Sequence, residues 1–180
     1  MRPVAGLLVG LAALAAASAA AAAPKARPTS LSASAAGEVT RLRASAGLGP
    51  VVADPALTRA AEAHAQAMRN AGTMSHDVGG SFSARMAAAG IRTTQAAENI
   101  AAGQRSLAEA MASWTASSGH RANMLSRGVT RIGLGRADGA GGPFWAMILA
   151  APEPPPRRAG DSPSGGGGAV FFGLPIPLRP

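Results

Sequence analysis

The order in which hydrophobic periodicity changes along this chain restricts its fold more than any other feature. Helical spacing comes first. Val39, Leu42 and Ala46 fall at three- and four-residue intervals within 32–46, and Leu57, Ala61, His64, Ala65 and Met68 form one stripe behind Asp54-Pro55. Asp54 is placed to cap the second helix, Pro55 suits its first position, and Gly72 closes it. Alternation comes last. Residues 131–137 alternate, 138–142 form a Gly-rich turn and 144–150 are an apolar run, which together read as a β-hairpin. A parallel α/β sheet would need strands and helices in regular succession. Helices early and a hairpin late predict an α+β fold with a small antiparallel sheet.

The segments between complete this reading. The first helix ends at Gly47 and is expected to turn Arg41 and Arg43 outward. Residues 72–80 read as a loop carrying His76, and 81–89 as a short helix stopped by Gly90. Residues 96–101, apolar around Glu98-Asn99, are ambiguous between strand and extended loop; a strand at an edge of the sheet is favoured. Ser106-Leu107-Ala108-Glu109 is a capping box that opens a helix through Ala110, Met111 and Trp114. Ser117, Ser118 and Gly119 break that helix, and 120–125 can form one more turn.

Composition sets the limits of the folded part. Residues 4–23 are an uncharged run of small and apolar residues behind Met1-Arg2-Pro3, with small-x-small sites at its end, the make-up of a secretory signal cleaved between Ala19 and Ala23. An uncleaved membrane anchor is the alternative, because the run is about long enough to span a bilayer. Residues 24–30 read as a linker, 31–151 as one domain and 152–180 as a disordered Pro/Gly/Arg-rich tail. Within the tail, Phe171-Phe172-Gly173-Leu174 is an apolar patch with no evident place. The expected location is secreted or periplasmic, with no transmembrane segment left after cleavage.

The chain has no cysteine, which removes disulfides, thiolate metal sites and a thiol nucleophile. Its formal charge of +8 comes almost wholly from arginine. Within the domain these charges stand singly, and there is no tyrosine, so nucleic-acid binding is not expected. Attraction to anionic envelope polymers or lipid headgroups is the more modest inference.

Three short stretches carry the chemistry: Ser75-His76, Glu98-Asn99-Ile100-Ala101 and 119–125, which begins Gly119-His120-Arg121. Two imidazoles and a carboxylate converge either to act on something or to satisfy one another in a buried polar spot. Two neutral histidines and Glu98 would suffice for a tetrahedral zinc with water in its fourth position. A hydrogen-bonded cluster that pins loops to the sheet is the plainer alternative. His64, on an apolar helix face, reads as structural, and its spacing from Glu62 is not His-Glu-x-x-His. Asn99 and Asn123 read as loop ties, Trp114 and Trp145 as core, and Arg121 as a rim group or a surface pair.

In order and identity these motifs resemble the CAP superfamily, the SCP-like group named for cysteine-rich secretory proteins, antigen 5 and plant pathogenesis-related proteins, in a short cysteine-free bacterial form. The resemblance runs from Gly47-Leu48 and Asp54-Pro55-Ala56-Leu57 through Ser75-His76, Glu98-Asn99, Trp114, Gly119-His120-Arg121 and Ile132-Gly133-Leu134-Gly135 to Trp145. It implies an α-β-α sandwich around a three-stranded antiparallel sheet. It also implies a cavity lined by two histidines and two acidic residues that in some members holds a divalent metal. Carried onto this chain, the cavity residues are His76, Glu98 and His120, with Asn99 beside them, and the metal ligands are His76 and His120. Ser117 stands where the second carboxylate is expected, so the tetrad is incomplete.

The expectation is therefore a secreted, monomeric, non-enzymatic protein whose cavity binds a lipid or cell-envelope component. It requires no cofactor, with zinc or another divalent cation as an optional occupant. A metal-dependent hydrolase using His76, His120 and Glu98 is the rival, with Glu98 its catalytic carboxylate. A structural or host-interaction module with a vestigial cavity is the third reading.

Overall fold

In the computed structural model, residues 28–155 and the backbone of 170–174 are described, with side chains over 31–155. The signal read over 1–23 and most of the tail lie outside the described residues. The linker ends earlier than expected, because helix α1 spans Pro28–Ala44. Helix α2, Pro55–Ala71, has the expected ends. Asp54 Oδ1 accepts the N–H groups of Ala56 and Leu57 at 2.7 and 3.0 Å, and Gly72 takes the left-handed conformation that closes a helix. Helix α3 is Phe82–Ala88, α4 is Leu107–Ala116 and α5 is Ser118–Met124. At α4 the capping box closes one residue early. Ser106 Oγ accepts from Glu109 N–H, but the Glu109 carboxylate accepts from Arg105 N–H instead of Ser106 N–H.

Strands β2 (Gln95–Ala102), β3 (Arg131–Gly139) and β4 (Gly142–Ala150) form the antiparallel centre of the sheet in the order β3-β4-β2. The hairpin pairs Gly139 with Gly142, a tighter turn than 138–142. Two further strands join in parallel and were not anticipated. Strand β1, Val52–Ala53, lies on β3, and β5, Val170–Leu174, lies on β2. Two expectations are corrected here. Residues 96–101 are not at the edge of the sheet, and part of the segment read as disordered tail is a strand. The physical reason is shared: an uncovered β2 would leave a row of unpaired backbone groups along an apolar strand, and the Val/Phe-rich patch supplies partners for them.

Helices cover both faces, which gives the α+β class and the α-β-α layering. Alternation along each strand sorts its residues between two cores. Ile100, Ala146 and Ile148 meet Leu57, Ala61 and Met86 of α2 and α3. Ala97, Leu134, Trp145 and Met147 meet Val39, Trp114 and Met124 of α1, α4 and α5. Both tryptophans are core, as expected, and donate their indole N–H groups to the carbonyls of Ile100 and Gln104. The Gly133/Gly135 pair has a purely steric role. A Cβ at either position would sit 2.1 Å from Leu57 C or 2.3 Å from Ala61 C, so these glycines let the α2 backbone lie directly on β3.

The outward placement of Arg43 is also corrected. Its side chain is buried and donates to the carbonyls of Gly49, Met124, Ser126 and Val129. The many donors of a guanidinium let it replace water for a cluster of loop carbonyls. Among the described residues no helix is long and apolar enough to cross a membrane.

Candidate functional site

Neighbouring residues of β2 point to opposite faces, and this divides the site. Glu98 turns toward the layer of α2 and α3, whereas Asn99 turns toward α5. Glu98 is wholly buried and its oxygens are fully engaged. His76 Nδ1 lies 2.7 Å from Oε1, and Arg85 Nη2 lies 2.8 Å from Oε1 and 2.6 Å from Oε2. His64 Nε2 is 3.7 Å from Oε1, close enough for attraction but beyond a hydrogen bond. Arg85 Nη1 also donates to the carbonyls of His76 and Gly80, so one guanidinium ties α3 to the loop before it and to the sheet.

Burial by itself would raise the Glu98 carboxyl. The His76 hydrogen bond, the charges of His64 and Arg85 and the Arg85 hydrogen bond together hold it below its ordinary value. Glu98 is therefore ionised and can only accept, which makes His76 Nδ1 the donor; the other ring nitrogen is Nε2. That Nε2 is buried and has no hydrogen-bond partner among the described residues. His64 is held below its ordinary value chiefly by burial, with Arg85 and His76 acting in the same direction and Glu98 against them. Neither of its ring nitrogens meets the geometric limits of a hydrogen bond among the described residues, but the Val78 backbone acts with Glu98 to raise the imidazole.

On the other face, Asn99 Nδ2 donates to the His120 carbonyl at 3.1 Å and Asn123 Nδ2 to Asn99 Oδ1 at 2.8 Å. These two amides hold α5 against the sheet. His120 Nδ1 pairs with Ser117 Oγ at 2.7 Å, so the serine expected in place of the second carboxylate partners the second histidine directly. The structure thus brings His76 to Glu98, and His120 to Ser117 with Asn99 holding its backbone. The basic side chains that face the Glu98 carboxylate are His64, His76 and Arg85. Sequence reasoning missed Arg85 and gave His64 no part beside Glu98. The available signal for Arg85 was a cation set within an apolar helical stripe, since Phe82 and Met86, three residues before it and one after, are both buried.

A cleft of about 520 Å³ lies between α2 and α3. Alanines of both helices line it, and His64 and Arg85 are its two polar side chains. The cleft therefore offers an apolar wall next to a buried imidazole and a cation.

Residues 37–149 match the family model described as the cysteine-rich secretory protein family, CAP. This chain belongs to the CAP family. The whole His76–Glu98–His120 arrangement lies inside the matched span, and β5 lies outside it. Over 103 residues the CAP domain is 35% identical to an uncharacterized protein, YkwD, of Bacillus subtilis (strain 168); the match takes in 56% of this chain and 39% of that protein. The chain thus spans well under half the length of that curated relative. Its fold is similar to that of an extracellular SCP-domain protein from Bacillus anthracis str. Ames, with TM-score 0.64 and 22% identity over 73% of this chain and 45% of the other. It is also similar to an outer surface protein from Borrelia burgdorferi, with TM-score 0.61 and 18% identity over 66% of this chain and 90% of the other.

Proposed function

We infer that this CAP domain is a secreted, non-enzymatic binding protein. Its ligand is an amphiphile with an apolar chain and a polar or anionic end, of lipid or envelope origin, taken up between α2 and α3. The observation that carries the non-enzymatic part is the state of Glu98. Both its oxygens are occupied by Arg85 and His76, and its charge is already balanced, so it is a poor general base. The alanine-lined cleft beside it supports the binding part, because small side chains on two facing helices leave room for a chain and Arg85 offers a cation. Secretion is supported by the signal-like make-up of 1–23 and by the extracellular and outer-surface descriptions of the two proteins with similar folds.

The residues present do not fit a resident three-ligand metal. His64 and His76 both stand beside Glu98, but Arg85 already supplies the cation there, and among the described residues no group of three His, Cys, Asp or Glu is placed to hold an ion. The reading therefore calls on no bound metal, and the occupied carboxylate of Glu98 favours it over the hydrolase alternative.

Lipids extracted from the purified chain and identified by mass spectrometry, together with uptake of a fluorescent fatty acid, test this. Wild type should take up the probe, and Ala67→Trp, which fills the cleft from α2, should weaken uptake about tenfold or more with unchanged melting. No co-purified lipid and no uptake by wild type would leave only the structural-module reading.

A further inference from the structure

The outer edge of β2 is closed by a segment far away in sequence. Val170–Leu174 runs parallel to β2 in the register Gln95 with Val170, Ala96 with Phe171, Ala97 with Phe172, Glu98 with Gly173 and Asn99 with Leu174. It approaches both α3 and α5, so it lies along the strip of sheet edge between the helix that carries Arg85 and the helix that carries His120.

Three observations make this strip a strand-accepting site. First, apart from the single inward charge of Glu98, β2 lacks the devices that protect an exposed edge. Its residues 96–101 are all buried, and the strand contains no proline, lysine or arginine. Second, the chain leaves the sheet where the strip begins. Ala151 N–H donates to the Gln95 carbonyl at 2.8 Å, and Gln95 is also the register partner of Val170. The gap from β4 across β2 to β5 is two strand spacings, about 10 Å. Residues 152–169 can span several tens of ångströms, which is the long connection that a parallel pairing needs. Third, two of the four phenylalanines of the chain fall in these five residues, within a segment otherwise dominated by proline, glycine and arginine. Gly173, which has no side chain, is the residue in register with the buried Glu98.

We propose that the β2 edge between α3 and α5 is a binding site for an extended apolar strand, and that its resident occupant is the chain's own Val170–Leu174, tethered by 152–169. The tether holds the strand at a high effective concentration, so a competing segment of the same chemistry enters only when the tail is released. This site is separate from the α2/α3 cleft and does not depend on a ligand being bound there.

Backbone hydrogen exchange on the full chain tests the proposal. In the wild type, the β2 amides over 95–99 that do not pair with β4 should be protected. In the double variant Phe171→Pro, Phe172→Pro, which breaks the added strand in either phase of the ladder, they should exchange about 100-fold faster or more while the β4-paired amides keep their protection. A synthetic peptide spanning 166–178 should bind the variant and restore that protection, and should bind the wild type far more weakly. Rapid exchange of those amides in the wild type would overturn the proposal, whatever the stability of the variant. So would wild-type protection retained in the variant, or failure of the peptide to bind the folded variant. Protection that rises with protein concentration would assign the strand to a second copy and overturn the tethered form.

Discussion

At Glu98 a full negative charge lies out of water between an obligate cation and two imidazoles. Such a charge is tolerable only while its partners stay in place, because removing one leaves the other charge buried and unpaired. The same spot sets a pH dependence. Burial holds His64 below its unfolded value in the folded chain, so its contribution to stability is complete above about pH 6.5 and is lost as the pH falls toward its folded value. Glu98 is held low, so its contribution is present above about pH 4.5 and is lost only below that. Urea unfolding should therefore give a lower stability at about pH 5.5 than at about pH 7.5, and His64→Asn should remove most of that difference. An equal loss in both proteins would locate the effect elsewhere. His76 and Glu98 were both readable as site residues from their motifs, but the Arg85 contact was not. It joins residues on a helix and a strand whose mutual placement follows from how α3 packs.

At the scale of elements, α2 against β3 determines how the site is framed, since α2 carries His64 and forms one wall of the cleft. Local chemistry made α2 legible: an Asp cap, a proline at its start, an apolar stripe and a closing glycine all agree. The alternation Ile132-Gly133-Leu134-Gly135 was legible as a strand, but not the reason for its glycines. That reason is the helix backbone lying on them. Gly133→Ala would place its Cβ 2.1 Å from the Leu57 carbonyl carbon, with only backbone to give way, and should cost about 3 kcal/mol or more in denaturant unfolding. Gly49→Ala meets nothing within 4 Å and should change stability by less than about 0.5 kcal/mol. Comparable effects at the two positions would show that close approach is not what Gly133 provides.

At the scale of the molecule, Arg43 gathers the loops that surround the α1 side of the sheet. One guanidinium reaches the carbonyls before β1, at the end of α5 and before β3. Arg43→Met fills much of the same volume but leaves those carbonyls without a donor. It should cost about 3 kcal/mol and speed exchange in the loops it joins, whereas a loss below about 1 kcal/mol would mean that water replaces it easily. Arg43 was read as outward because a single helix pattern cannot tell a solvated arginine from one that faces distant carbonyls. The tail strand escaped for a similar reason, since nothing local to Phe171 or Phe172 names β2 as its partner. By itself the sequence determined the α+β class, the ends of α2, the hairpin, the family and His76 and Glu98 as candidate site residues, because periodicity, caps and ordered motifs are local signals. The tertiary structure alone decided the burial of Arg43, the Arg85 clamp and the strand that closes the β2 edge. Each of these joins residues far apart in the chain, and such a contact exists only once the layers have packed.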